Sequence, residues 1–589
     1  MIILGIHDGH NCGASIFRNG KLLIAVSEER ITRKKNEYGF PNKSIDLCLK
    51  RSNIKKKEIS YVAVSTKNLP PKYFQVKRNT TFSIDDYFKE QELYWYPKIY
   101  KNKKKDYLKI FSNKKVSKKE LYYDLKDIKN EDDVIGMRHA RQKGISKYLQ
   151  LDKKKVFFFD HHKCHAYYGF YASSFSSKNK VAIVTADGGG DNSNGSIWIS
   201  SNNKIKNVYK TNECNIGRMY RYATLMIGMK PTEHEFKVMG LAGYALKNVD
   251  YYKSLIDTYK QTLNVKNAKF YYKKKPKDNY FYFYEKFKNK RFDAISYAIQ
   301  KNTEDLLEKW FLEISKKFKV SNFIFSGGVA QNIKATKIIS ENKEIKKLFV
   351  PPGPGDESLI IGAVYCMLDK LGFKKNKIQN MEDPYIGADY LNFDINKLKK
   401  DKNIKIKRTS VSDVAKILNS GKVIARFSFN RAEFGPRALG NRSIIASPFS
   451  TDAVHHINKK IKVRDFWMPF APSIIDEDFN KLLKTNNKNS FSYMTTSLDS
   501  TKLGKNKIAA ALHPFDKTAR PQLITKKLNT DYYNLIKQFK KLSGVGALLN
   551  TSFNVHGEPI VHSPYDAIKT FKKSGLEYLY LGNYLISKK

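Results

Sequence analysis

The chain has 589 residues, 41% hydrophobic and 13% aromatic, enough apolar material for two or more independent cores in a globular protein. Five cysteines (Cys12, Cys48, Cys164, Cys214, Cys366) are widely spaced and form no C-x-x-C pair, which argues against a disulfide framework and for a reducing compartment. The formal charge of +52 comes mostly from lysine spread along the whole length beside abundant Asn, Ile, Tyr and Phe. That is the mark of AT-rich coding at exposed positions, whereas phosphate-reading surfaces favour Arg forks, so a nucleic-acid partner is disfavoured.

The N-terminal apolar run meets His7 and Asp8 too early for a signal peptide, and no apolar stretch approaches the ~20 residues of a membrane span. A soluble cytoplasmic protein is expected. Residues 2–6, 14–17 and 22–26 read as strands, with Asn19-Gly20 as the tight turn between the second and third. Residues 68–135 are Lys- and Tyr-rich and weakly periodic, and read as helical decoration rather than core.

The strand-like run Val156–Phe159 leads into Asp160-His161-His162-Lys163-Cys164-His165-Ala166. If these residues open a helix, His161 and His165 project from one face and can share a metal. Alone, such a pair is often solvent-facing or capping. Asp187, at the end of the apolar run 181–184 and followed by Gly188-Gly189-Gly190, adds a carboxylate where a parallel sheet opens its ligand crevice. Two imidazoles with carboxylates suit iron, zinc or manganese. A structural zinc is disfavoured, because Cys164 points away from the pair.

Two glycine-rich strand-to-helix turns follow, Ser326-Gly327-Gly328-Val329-Ala330-Gln331-Asn332 and Pro351-Pro352-Gly353-Pro354-Gly355-Asp356. With the N-terminal hairpin they resemble the duplicated α/β fold of the actin and sugar-kinase superfamily, in which glycines let backbone amides approach phosphate. A composition shift at 381–390 and the charged segment 396–408 read as a linker to a second compact unit.

In that unit Arg426, Arg431, Arg437, Arg442 and Arg464 fall close together in a chain poor in arginine, with Lys462 and Arg520 nearby in sequence pattern. Guanidinium groups bind phosphate and carboxylate bidentately, though one or two of these are expected to pair with Glu433 or Asp465 instead. Asn550-Thr551-Ser552-Phe553-Asn554 after the apolar run 545–549 reads as a phosphate-binding turn at a strand end.

Several segments occur in one order: His10-Asn11 with Gly13-Ala14-Ser15, Glu28-Glu29-Arg30, the His161 segment and Glu235-Phe236-Lys237-Val238-Met239-Gly240-Leu241-Ala242. The Gly327 turn, Gly435-Pro436-Arg437-Ala438-Leu439-Gly440-Asn441-Arg442-Ser443-Ile444, Thr518-Ala519-Arg520-Pro521-Gln522 and the Asn550 segment with Gly557-Glu558-Pro559-Ile560-Val561 follow. In this order they resemble the nodulation-factor, cephalosporin and aminoglycoside O-carbamoyltransferases over nearly the full length, residues 68–135 excepted.

The resemblance implies an α/β protein of two domains. Residues 1–383 would be like the tRNA threonylcarbamoyl-transfer protein, actin-like and metal-containing. Residues 384–589 would be like the threonylcarbamoyl-adenylate synthase. The C-terminal domain would convert carbamoyl phosphate and ATP, with Mg(2+), into carbamoyl-adenylate, and the N-terminal domain would pass the carbamoyl group to a hydroxyl of a glycan, antibiotic or other metabolite, a carbamoyltransferase of class EC 2.1.3.

Carried over by motif, His161, His165, Asp187 and Asp356 would hold Fe(2+) or another divalent metal. His10 would be the base near the acceptor hydroxyl. Lys237, Gly327, Gly328 and Asn332 would bind carbamoyl-adenylate. Arg437, Lys462, Arg520, Ser552 and Asn550, with Met494 near them, would bind ATP and carbamoyl phosphate. Two departures stand out: Met468 replaces an expected basic residue, and Asp191 follows one glycine more than the pattern. A homodimer is compatible with the resemblance. The rival readings are a sugar kinase, a tRNA threonylcarbamoyl-modifying fusion and a basic nucleic-acid-binding protein on a nucleotide-binding fold. The acceptor is not legible, because acceptor pockets are built from loops without a transferable signature.

Overall fold

The computed structural model describes residues 1–176, 178–202, 204–245, 250–399, 401–485 and 490–589. The chain divides into two compact units, Met1–Glu382 and Asp383–Lys589.

The first unit holds two five-stranded sheets. In the first, β1 (Ile2–His7), β2 (Gly13–Arg18), β3 (Lys21–Ser27), β4 (Tyr61–Ser65) and β5 (Val156–Phe159) lie in the order β3-β2-β1-β4-β5. The hairpin neighbours β1/β2 and β2/β3 are antiparallel, and β1/β4 and β4/β5 are parallel. The expected Asn19-Gly20 turn is present, with φ of 50° and 80°, the left-handed pair that a tight hairpin of right-twisted strands requires.

The second sheet is built from β6 (Val181–Gly190), β7 (Ser193–Ser201) and β8 (Lys204–Thr211); after a small hairpin of β9 (Leu263–Lys266) and β10 (Lys269–Tyr272) it is completed by β11 (Asn322–Ser326) and β12 (Lys347–Phe349). Its order β12-β11-β6-β7-β8 repeats the first sheet strand for strand, with the same two antiparallel and two parallel pairings. This is the duplicated actin and sugar-kinase architecture expected from the sequence.

Each half sends one helix to the other. Helix His161–Ala172 follows β5 but lies against β11, where a Cβ on Gly169 would come 2.6 Å from Ile324 Cγ2. Helix Leu359–Lys370 follows β12 but lies against β1 and β2, where Ser15 Oγ donates to the Ile360 carbonyl at 2.8 Å. The two helices touch through Gly362, whose absent Cβ leaves room for the Cys164 carbonyl.

Residues 68–135 are not mere decoration. Val76, Phe82, Tyr87, Tyr94, Tyr107 and Phe111 form a buried apolar cluster with Leu225 and Tyr280. A buried Arg78–Glu90 ion pair lies beside it, with the Tyr107 hydroxyl on the same carboxylate at 2.8 Å. The weak helical period arises because these are short helices and turns packed by aromatic rings.

In the second unit, β13 (Ile404–Arg408), β14 (Ile424–Phe427), β15 (Arg442–Ala446), β16 (Ala471–Ile475), β19 (Gln522–Ile524), β20 (Ala547–Ser552), β21 (Tyr578–Leu581) and β22 (Tyr584–Lys588) make a mixed sheet in the order β13-β22-β21-β14-β15-β20-β16-β19. The short pair β17 (Leu498–Asp499) and β18 (Thr518–Ala519) stands apart. Alternate residues feed two cores: Ala425, Phe427, Ile444, Leu549 and Leu579 on one face, Ile424, Ile445, Leu548 and Tyr580 on the other.

Two sequence expectations are corrected here. Residues 396–408 are not a linker: Asn396–Lys399 is a helix and Ile404–Arg408 is an edge strand, whose charged Lys405, Lys407 and Arg408 keep an open edge from pairing. Asn550 and Thr551 lie inside β20, so the turn begins only after Ser552. Among the described residues no helix is long and apolar enough to cross a membrane.

Candidate functional site

The first unit brings together the four residues read as metal ligands. His161 and His165 occupy the first turns of their helix, started by Asp160, whose side chain accepts from Lys163 N. Their Nε2 atoms are 3.2 Å apart. His165 Nε2 lies 3.4 Å from Asp356 Oδ1 and 3.6 Å from Asp187 Oδ2, and His161 Nε2 lies 3.6 Å from Asp356 Oδ1. One donor atom from each of the four falls within 4.8 Å of the others.

The donor set fits a divalent cation. Asp356 Oδ1 is buried with no hydrogen-bond partner, a costly state unless a cation sits on it. With the His161 Nδ1 proton given to Thr66 Oγ1 at 3.0 Å, the Nε2 lone pair faces the cluster. Asp187 is oriented by the Gly328 N–H on Oδ2 at 2.5 Å and the Gly188 N–H on Oδ1 at 2.6 Å. Burial pushes the Asp187 carboxyl up, but His165 and His161 outweigh it and the net shift is downward.

Burial, and then Asp187, raise the Asp356 carboxyl to about 7, while burial lowers His165 to about 4. His165 is therefore neutral throughout the working range, and Asp356 is the group whose proton competes with metal. Below pH 7 the protonated carboxyl prevails, so affinity for Fe(2+), Zn(2+) or Mn(2+) should fall roughly tenfold per pH unit there and level off above it. Metal titrations from pH 5.5 to 8.5 read this directly (a span bracketing that value by about one and a half units), and a flat profile contradicts it.

Several supports were not legible in the sequence. Thr66 holds φ at 61°, unusual for a β-branched residue, as it reaches His161. Asp191 accepts the N–H groups of His161 (2.8 Å), Lys67 (2.9 Å) and Asn68 (2.6 Å), tying the loop after β4 to the ligand helix. Arg141 grips Asp8 through two bonds of 2.8 and 2.6 Å and also donates to the Thr66 carbonyl. Gly190 is needed for space: a Cβ there would lie 2.2 Å from the His161 ring. Gly190→Ala should displace the ring and strip bound metal while far-ultraviolet dichroism stays unchanged; retained metal would contradict this role.

His10 lies nearby electrostatically, since Asp187 pulls its pKa up against the larger effect of burial, which leaves it at about 4. Its Nδ1 is 3.0 Å from Asn79 Nδ2, so the region outside the resemblance reaches the site. Of the remaining residues in this unit, Lys237 is buried on helix Glu235–Ala242. Gly327 has φ 96° and would collide with the Ala186 carbonyl if it carried a Cβ. Asn332 caps helix Ile333–Glu341 and pairs its amide with Gln300.

The second unit divides the arginines. Arg426, Arg431 and Arg442 are structural: Arg426 donates to the Gly440 carbonyl at 2.5 Å, Arg431 to the Gly387 and Ile386 carbonyls, and the fully buried Arg442 to the carbonyls of Ser428, Asn441 and Asn430. Glu433 accepts backbone N–H groups of Leu439 and Arg442 rather than pairing with an arginine head.

Arg437 and Arg464 act on Arg520, while Arg464 also donates to Asn458 Oδ1 at 2.8 Å and to the Met468 carbonyl. Burial and then the charges of Arg437 and Arg464 push Arg520 well below its ordinary value, and its Nε is buried without a partner. Burial lowers Arg464 to about 10 despite Asp465. An arginine does not deprotonate in a protein, so such a site is relieved by an anion. Lys462 Nζ donates to Ser552 Oγ at 3.1 Å and also to the Ser552 carbonyl and Asn554 Oδ1. Asn550 belongs to a buried polar network with Ala438, Ser473 and Gln522. Met494, at φ 57°, sits in an apolar cluster with Tyr385, Leu439 and Ala471, which leaves its backbone as the part able to meet a ligand.

Comparison with known proteins adds to this geometry. A family model described as carbamoyltransferase N-terminus matches residues 2–365, and one described as carbamoyltransferase C-terminus matches residues 415–588. An uncharacterized protein of Methanocaldococcus jannaschii is 32% identical over 606 residues, covering 100% of both chains. The nodulation protein NolNO of Sinorhizobium fredii is 26% identical over 603 residues, covering 99% of this chain and 79% of its own. Among solved structures, the ROK hexokinase of Thermus thermophilus is 9% identical at a TM-score of 0.30, covering 63% of this chain and 100% of its own.

Proposed function

Since the chain belongs to the carbamoyltransferase family, we propose that it is an ATP-dependent O-carbamoyltransferase with one half-reaction in each unit. The observation that carries this reading is that the second unit holds Arg520, pushed well below its ordinary value by burial and the charges of Arg437 and Arg464, while the first gathers four side chains able to hold a cation.

In the second unit, Arg437, Arg464 and Arg520 offset the repulsion between carbamoyl phosphate and ATP. Carbamoyl phosphate and water give carbamate and phosphate. A carbamate oxygen then bonds to the α-phosphorus of ATP, the bond to the β-phosphate breaks, and pyrophosphate leaves, giving carbamoyl-adenylate. Lys462, fixed by Ser552 and Asn554, presents a point charge to the same phosphates.

In the first unit the carbamoyl group passes to a hydroxyl and AMP is released. His161, His165, Asp187 and Asp356 would hold the cation, which as a Lewis acid supplies charge stabilisation to a carbonyl or phosphoryl oxygen. Asp187, whose carboxyl is held below its ordinary value, is aimed by the N–H groups of Gly328 and Gly188. His10 is assigned to contact with the reacting carbamoyl and hydroxyl groups. Lys237, Gly327, Gly328 and Asn332 are assigned to the adenylate.

The test is a product balance. With carbamoyl phosphate, ATP and Mg(2+), the protein should release one phosphate and one pyrophosphate for each AMP that follows transfer. ADP with a phosphorylated sugar would establish a kinase instead, and dependence on threonine, bicarbonate and tRNA a threonylcarbamoyl enzyme. Mass spectrometry of candidate alcohols for a gain of about 43 Da, the mass of HNCO, identifies the acceptor.

A further inference from the structure

His10 is fixed at three points. Its backbone pairs with Tyr38 in an isolated antiparallel bridge, its carbonyl accepts from His7 Nε2 at 2.9 Å, and its ring Nδ1 lies 3.0 Å from Asn79 Nδ2. An amide nitrogen only donates, so Nδ1 is the acceptor in that contact.

The amide cannot turn over without loss. Asn79 Oδ1 accepts from Arg78 Nη1 at 3.2 Å and from the Tyr87 hydroxyl at 3.4 Å, and a guanidinium has no lone pair to offer an inverted NH2 group. Arg78 is itself held by Glu90, through Nε at 2.7 Å and Nη2 at 2.5 Å in a buried pair. A line of contacts thus runs Glu90, Arg78, Asn79, His10, each fixing the donor or acceptor sense of the next. A neutral imidazole carries one N–H, and with Nδ1 accepting, that proton is on Nε2.

On the carbamoyl reading above, we propose that Asn79 is a positioning residue that holds His10 in the Nε2–H tautomer, so that the ring meets the substrate as a hydrogen-bond donor and not as the base for the hydroxyl proton. In this role Nε2–H stabilises the carbamoyl carbonyl oxygen as it gains negative charge. The acceptor oxygen bonds to the carbamoyl carbon, the bond from that carbon to the phosphate oxygen breaks, and the electron pair leaves with AMP. The hydroxyl proton goes to the departing phosphate, whose second pKa of about 6 suits it to take one near neutral pH. Burial keeps the His10 ring neutral at pH 7, so the tautomer decides what it offers.

The full-length protein carrying nitrogen-15-labelled histidine tests this by NMR, with the His10 resonances identified by their loss in His10→Gln. In the wild type, Nδ1 should resonate as a bare nitrogen and Nε2 as a protonated one. Asn79→Asp, whose carboxylate accepts, should reverse the pattern, and Asn79→Ala should average it. A wild-type ring protonated on Nδ1, or on both nitrogens at pH 7, overturns the proposal, as does an unchanged pattern in Asn79→Ala. Should Asn79→Asp fail to fold, the wild type and Asn79→Ala decide. The measurement uses no substrate, so its failure is distinct from a failure of the product balance.

Discussion

Replacing Arg520 with methionine is expected to raise the stability of the second unit by about 1–2 kcal/mol while abolishing ATP–pyrophosphate exchange driven by carbamoyl phosphate. Arg520 is only partly buried overall, but its Nε is sealed without a partner, and burial, Arg437 and Arg464 all push its pKa down with no carboxylate pulling it back. A linear side chain of similar length removes that repulsion and keeps the packing. Exchange disappears because phosphate loses the donor that justified the repulsion. Calorimetry and exchange with labelled pyrophosphate read the two effects; wild-type exchange in the variant would remove Arg520 from the anion site. Arg442→Met should do the opposite, because the carbonyls of Ser428, Asn441 and Asn430 would lose their donor in a fully buried place.

His161→Ala is expected to lower metal affinity by roughly 100-fold or more and to stop carbamoyl transfer, while ATP–pyrophosphate exchange continues. The loss leaves His165, Asp187 and Asp356, with two carboxylates facing a single imidazole. Elemental analysis of the purified variant and the exchange assay separate the two effects. Simultaneous loss of exchange would show that the half-reactions do not divide between the units.

Some of this organisation is readable in one dimension and some is not. Asn19-Gly20 announces its hairpin because only residues tolerant of positive φ fit there, and His161 and His165 declare a shared face because helical spacing is local. Asp187 is legible as a strand end, although its strand continues through a register break to Gly190. Thr66 and Asp191 were not legible: their roles arise when β4 and the ligand helix meet across many residues of sequence. The arginines show the same limit. Arg437 and Arg442 are close in sequence, yet the charge of one bears on Arg520 and the other holds loop carbonyls, because the choice depends on which backbone oxygens the fold presents. In residues 68–135, short turns packed by tyrosines leave no period to detect, and Asn79 within them could be tied to His10 only once both were placed.

The exchange of helices between the two sheets of the first unit also sets a timetable. His161 and His165 emerge early in synthesis, but their helix lies on a sheet completed by β11 and β12, and the fourth ligand, Asp356, comes after both. At translation rates of about 5–20 residues per second, the histidines are outside the ribosome for roughly 10–40 seconds before a complete site can exist. Any cation held by all four residues would thus be captured late, and full occupancy would report that both halves have closed upon each other's helix. A cation that binds sooner meets an incomplete ligand set on a nascent chain, where thiols and spare imidazoles compete for it.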